Sequence, residues 1–365
     1  MLRRFGLVTG LASSCANLAG PFAGLAHESV GSRGLAIFGG CCAAVGFAVA
    51  SFAPGDAVFA AAHAAIGAGF GCAFITIGVT VAAYFDKYKR VALASIGVGT
   101  GARGILFPLV YRFAIDTYGP YGSMLLNSGF VLQLVVCGSA IRRPETASSC
   151  QSRKFSFGDT GSKKRPLATI FLQGRFWLFT LHTCLSSGMM SVDTYTISSL
   201  ASSRGLTDAE AAALLSLSQV GTTAGRLLVL CSAQWLPNQA AVTLAGALCY
   251  ATGAALVWTL GASFGALALF ACLGMLGSGV VMGAWITLLA QLFEQRQLAA
   301  VVGLSQGLCA ASIALCLAAA GFLGDAFSIE TSYGLTPLLG ACGVVISLLI
   351  FAFDRRRPAK AANNM

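Results

Sequence analysis

A few ionisable residues stand inside long apolar runs of this chain, and any chemistry would have to start from them. Arg226, Arg103 and Arg112 fall in such runs, as do Asp193, His182 and His63. Charge is costly in hydrocarbon, so a group at that depth usually faces a cavity or a partner. Arg226 lies about two-thirds of the way along its run. Its planar guanidinium can hold a carboxylate through two parallel hydrogen bonds. A structural ion pair with Asp193 is the alternative. Arg103 lies mid-run beside Gly101 and Gly104, where cavity lining and a structural role stay equally open. Arg112 is near the end of its run and is expected to snorkel. Asp193 is the acidic residue set well inside a run, so it is a candidate proton carrier. A charge near the outer mouth is the other reading. His182 and His63 read first as packed polar residues. Phe270, Met275 and Trp285 share one run and could line an organic-anion site, although packing is their ordinary role.

The runs themselves follow from composition. Of 365 residues, 56% are hydrophobic and 10% charged, against about 25% charged in a soluble domain. So few charges cannot make a water-facing surface, so lipid must cover much of the protein. The net charge of +10 does not imply nucleic acid, because the basic residues sit at the ends of apolar runs as in membrane loops. A membrane helix needs about 20 mostly apolar residues. That window gives eleven segments, near 5–26, 34–53, 57–85, 91–113, 120–141, 176–200, 209–231, 239–260, 264–293, 298–323 and 334–353. Gly, Ala and Ser are dense within them, the composition of closely packed membrane helices. Twelve of the 13 cysteines lie in apolar runs and no Cys-x-x-Cys occurs. They read as small packing residues, and neither a metal nor a cofactor is expected. No nucleophile–base–acid constellation lies at a membrane surface, so an enzyme is not expected.

Basic residues set the orientation. With the loop 142–168 placed in the cytoplasm, 17 of the 23 Lys and Arg fall on that side, including Arg33, Lys87, Lys89, Arg90 and the tail 354–365. Arg3 and Arg4 then lie outside, against the rule. A signal peptide does not explain them, since the apolar run continues to Ala26 and holds Asn17 and Gly20. The loop divides the chain into a five-helix half, 1–141, and a six-helix half, 169–353. The halves echo each other: Tyr84-Phe85-Asp86-Lys87 resembles Leu292-Phe293-Glu294-Gln295 at an offset near 208 residues. A parallel repeat across a long loop is a transporter architecture.

Two motifs carry a family resemblance. Gly20-Pro21-Phe22-Ala23-Gly24, running to Gly31-Ser32-Arg33, resembles the loop between helices two and three of the major facilitator superfamily. The usual acidic residue is displaced, with His27-Glu28 nearby. Tyr84-Phe85-Asp86-Lys87-Tyr88-Lys89-Arg90, followed by Gly97, Gly101 and Gly104, looks like the helix-five signature of monocarboxylate transporters. Gly225-Arg226 and Val301-Val302-Gly303-Leu304 fit the same family. The resemblance implies an all-α membrane bundle of two pseudo-symmetric halves. It also implies alternating access for a small organic anion, a possible single-span accessory protein, and a plasma-membrane address. It assigns the substrate-anion contact to Arg226, with Arg103, Thr222 and Phe270 completing the expected binding set. Tyr84, Phe85, Lys87, Arg90, Gly97, Gly101 and Gly104 form the expected gating motif. Nothing here matches the family's first helix, and residue 5 already reads as its second. Proton-coupled members carry a first-helix lysine and an aspartate four residues before the helix-eight arginine, where this chain has Thr222. Weak or absent proton coupling is therefore expected unless Asp193 substitutes. A chain without that helix could instead be a non-transporting remnant or subunit, and some relatives carry other metabolites such as aromatic amino acids. Gly99-x-Gly101-x-x-Gly104 spells a dinucleotide fingerprint, but it lies inside an apolar run where a strand and turn would be needed. Helix packing is the expected role.

Overall fold

Backbone groups in hydrocarbon must bond within their own segment, so long apolar runs become helices. The structure, a computed structural model, describes residues 2–85, 87–142, 168–236, 238–260 and 263–355. The helices are α1 (Leu2–Ser51), α2 (Asp56–Tyr84), α3 (Lys89–Val131), α4 (Gln133–Ala140), α5 (Ala168–Phe171) and α6 (Gly174–Ser203). They continue as α7 (Asp208–Ser232), α8 (Gln239–Leu260), α9 (Phe264–Leu292), α10 (Leu298–Ala326), α11 (Ile329–Tyr333) and α12 (Leu335–Arg355). No strand occurs among the described residues. Asp86 and nearly all of the basic loop and the tail lie outside them.

Two helices each hold two of the expected segments. α1 breaks at Gly31 (φ 76°) and α3 at Gly119 (φ 71°). Both fall in gaps between expected segments, and this backbone region favours glycine, which has no Cβ to clash. Among the described residues, eight segments are long and apolar enough to cross a membrane, including Ser29–Ser51, Ala209–Ser232 and Phe264–Leu292. The stretches 91–113 and 176–200 are helical too; the first carries Arg103 and Arg112, the second His182, Asp193 and many hydroxyls.

The described chain forms two compact units. The first comprises Met1–Lys89, Phe113–Trp177 and Gln295–Gly307. Here α1 packs on α2 through facing glycines; a methyl on Gly39 would lie 2.5 Å from the carbonyl oxygen of Gly69. Lys89 donates to Gln295 at 3.1 Å, joining the two echoing loops. The second comprises Arg90–Arg112, Leu178–Glu294 and Leu308–Met365. Its core gathers Leu214, Tyr250, Leu267, Phe270 and Tyr333. Thr207 and Glu210 cap α7 reciprocally, Thr207 N donating to Glu210 Oε2 at 2.8 Å and Glu210 N to Thr207 Oγ1 at 3.3 Å. This satisfies two amides that the first helical turn leaves unpaired. The cysteines divide. Cys72 and Cys309 are buried, whereas Cys41, Cys137, Cys231, Cys272 and Cys342 are exposed, so core packing describes only some of them.

Close backbone approach is what the glycines on α7 and α9 supply. A side chain at Gly225 would strike the carbonyl of Leu276, whereas Gly99 faces open space. Gly225→Val is therefore expected to destabilise the protein by about 1–3 kcal/mol through overpacking. Gly99→Ala should be neutral or stabilising by up to about 1 kcal/mol from helix propensity. Unfolding midpoints of the two purified variants check the contrast.

Candidate functional site

The candidate anion contact forms within the second unit, where α3, α7 and α9 meet. Gly97, Gly101 and Gly104 share one face of α3 by their four- and three-residue spacing. A methyl there would meet Gly283 Cα at 3.3 Å, Thr223 Oγ1 at 3.0 Å and Gln219 Oε1 at 2.7 Å respectively. Gly99 looks elsewhere, so the glycines do not form a phosphate-binding turn. They form a packing face, and the face brings Thr100 to Arg226.

Arg226 is 9% exposed. Its Nη1 donates to Thr100 Oγ1 at 2.9 Å, and that hydroxyl donates onward to the Gly97 carbonyl at 2.7 Å. Arg226 Nε is buried and has no hydrogen-bond partner. One arm of the guanidinium is thus fixed while donor capacity remains, and an unused buried donor is unfavourable. Arg103 stands one turn beyond Thr100, exposed, and its charge opposes that of Arg226. A bound anion would offset two positive charges at once. Thr222 is buried one turn before Arg226, its hydroxyl donating to the Ser218 carbonyl at 2.7 Å.

Asp193 does not pair with Arg226. It is wholly buried, not at an open mouth, and the Tyr250 hydroxyl lies 2.8 Å from each of its oxygens. Tyr250 packs edge-on to Phe270 at 5.9 Å, and Phe270 edge-on to Tyr333 at 6.1 Å. Phe270 therefore belongs with Asp193, inside an aromatic cluster that also takes Met275. Trp285 stacks on Phe179 at 6.0 Å and donates to Thr183 at 3.0 Å. His182 is buried, with Nδ1 at 3.5 Å from Ser347 Oγ and Nε2 unpartnered. A cavity of about 10 Å³ has His182, Ser186 and Tyr250 on its wall, about the volume one water probe occupies. His63 lies against Phe59, 2.9 Å from its carbonyl oxygen. Arg112 is exposed.

The gating motif falls in both units. In the first, the Tyr84 hydroxyl donates to the carbonyl of Arg142 and accepts its amide at 2.9 Å. Phe85 ends α2, and Lys87 lies 5.5 Å over the Tyr88 ring. In the second, Arg90 begins α3 ahead of the glycine face. Sequence reasoning missed Thr100 and Tyr250. A signal existed for Tyr250, because a tyrosine inside an apolar run needs a partner for its hydroxyl.

Comparison with known proteins agrees with this architecture. The model of the Major Facilitator Superfamily matches residues 3–315. Monocarboxylate transporter 9 of Gallus gallus is 32% identical over 150 residues, 40% of this chain and 29% of that protein. Monocarboxylate transporter 11 of Homo sapiens is 28% identical over 264 residues, 70% of this chain and 53% of that protein. The chain thus spans about half the length of the second relative and less of the first. The solved proton:xylose symporter XylE shares the fold, with a TM-score of 0.78 at 14% identity over 96% of this chain and 86% of that one.

The Asp193–Tyr250 contact is testable apart from function. Tyr250→Phe removes the hydroxyl donor from a buried carboxylate and is expected to cost about 1.5–3 kcal/mol. In an Asp193→Asn background the same change should cost less than half of that, because the charge is gone. A double-mutant cycle on unfolding free energies reads the difference.

Proposed function

The chain belongs to the major facilitator superfamily, and on that premise we propose that it is a secondary transporter moving a small organic anion, with monocarboxylates as the substrate class. The observation that carries the reading is Arg226, a buried guanidinium held by Thr100 on one arm with its Nε unpartnered. A carboxylate is the ligand that fits a planar fork of donors. The similarity to proteins named monocarboxylate transporters supports the class. In this reading Arg226 grips the anion, and Arg103 attracts it through its exposed charge. Thr222 replaces a titratable group with a hydroxyl that does not ionise in the useful range. Phe270 acts at a distance by packing the Asp193–Tyr250 cluster. Tyr84, Phe85, Lys87, Arg90 and the glycines Gly97, Gly101 and Gly104 serve the conformational cycle of alternating access.

The protein is an integral membrane protein. We further propose a plasma-membrane location, with the loop 142–168 and the tail 354–365 in the cytoplasm and a single-span accessory subunit as a partner. The division into halves at 1–141 and 169–353 belongs to the same proposal. Charge distribution supports the orientation. Single cysteines replacing Ser156 and Ala361 should react with impermeant reagents only after cells are opened. Labelling of either in intact cells would reverse the orientation.

Arg226→Lys keeps the charge and loses the fork. It is expected to weaken uptake of a monocarboxylate into sealed vesicles roughly 10- to 150-fold, the worth of one charge-assisted contact. Unchanged kinetics in a normally folded variant would remove Arg226 from the site. An imposed inward proton gradient should drive little accumulation, because Thr222 carries no proton. If Asp193 supplies the coupling instead, Asp193→Asn should abolish accumulation and leave anion exchange intact. Strong uphill uptake that survives Asp193→Asn would refute both forms of the coupling argument.

A further inference from the structure

The first unit holds a cavity with two arginines on its wall. It measures about 610 Å³ and opens between α1, α2 and the chain just after α4, a volume within the roughly 300–1,000 Å³ typical of ligand pockets. Arg33 and Arg142 line it, together with the hydroxyl-bearing Ser32, Thr80 and Tyr84. No acidic residue lines it among the described residues, and neither guanidinium has a carboxylate partner there. The Thr80 hydroxyl oxygen is buried and without a hydrogen-bond partner.

The walls are held in place by specific features. The break of α1 at Gly31 restarts the helix at the cavity, and a helix start presents backbone amides without intrahelical acceptors. His27 Nε2 lies 2.8 Å from Ser32 Oγ, which fixes the first turn after the break. Tyr84 binds both the amide and the carbonyl of Arg142, so the second arginine is anchored to α2 by its own backbone.

We propose that this cavity is a binding site for a phosphate monoester. Two positive forks, the hydroxyls of Ser32 and Thr80 and, among the described residues, no carboxylate call for an anion with more charge and more acceptor oxygens than a monocarboxylate has. Val30, Ile37 and Ile141 complete the wall and suit the carbon part of the ester. The shared chemistry is the phosphate group, whether on a lipid headgroup or on a soluble metabolite. The site is distinct from Arg226, and the proposal does not depend on the transported substrate.

The test uses the full chain, purified in phosphatidylcholine nanodiscs containing phosphatidic acid, whose headgroup is a phosphate monoester. Bound lipid is counted by native mass spectrometry. The wild type is expected to retain phosphatidic acid over phosphatidylcholine. Arg33→Gln and Arg142→Gln should each lower that retention about tenfold, the effect of one charge-assisted contact, while Arg112→Gln leaves it unchanged. If a Gln variant fails to fold, Arg33→Lys with Arg142→Lys replaces it; charge is kept, and retention should still fall as the forks are lost. Glycerol 3-phosphate in excess separates the sources, since displacement of the lipid assigns a soluble ester and resistance assigns a headgroup; either upholds the site. Equal retention by the wild type and the double variant, or no preference over phosphatidylcholine, overturns it.

Discussion

A guanidinium taken out of water and left only partly bonded is the constraint around which the second unit is arranged. Arg226 cannot give up its charge in any useful range, so the fold must supply acceptors for it. One is Thr100, and bringing Thr100 within reach requires α3 to approach α7 closely. The side-chain-free face of Gly97, Gly101 and Gly104 permits that approach, and Gly283 on α9 permits the third helix to join. The packing in turn restricts what else can reach Arg226. The Thr222 hydroxyl is directed to its own helix backbone. The guanidinium then keeps a buried donor that the described protein groups do not use.

Asp193 answers the same constraint with opposite sign. Its partner is a tyrosine and not a cation, so acid and arginine are not locked together as a structural pair. Tyr250 reaches both carboxylate oxygens because Phe270 and Tyr333 pack its ring edge-on. The two side chains are therefore held independently, Arg226 by Thr100 and Asp193 beside an aromatic cluster.

The helices were legible in the sequence because lipid imposes a length and a polarity that few other environments impose. Gly31 and Gly119 fell between the expected segments for the same reason: each breaks an apolar run. The family resemblance, carried by the Tyr84–Arg90 and glycine motifs, pointed to a superfamily that the comparisons then matched over residues 3–315. Partners were the illegible part. Thr100 and Arg226 are 126 residues apart, and Tyr250 and Asp193 are 57 apart. No periodicity links such positions. Phe270 shows the cost, since its run allowed cavity lining and packing alike, and only the fold places it beside Tyr250. The cavity at Arg33 and Arg142 was equally hidden, because it needs Tyr84 to fold residue 142 back onto α2.

The account rests on recognition of a negative charge by Arg226. The most direct measurement is the unfolding midpoint of the purified chain with propionate or with propionamide, which differs from it little in size but carries no charge. The account predicts a concentration-dependent rise with propionate and none with propionamide. The rise should disappear in Arg226→Gln. Equal stabilisation by acid and amide, or a propionate response that persists in Arg226→Gln, would contradict it.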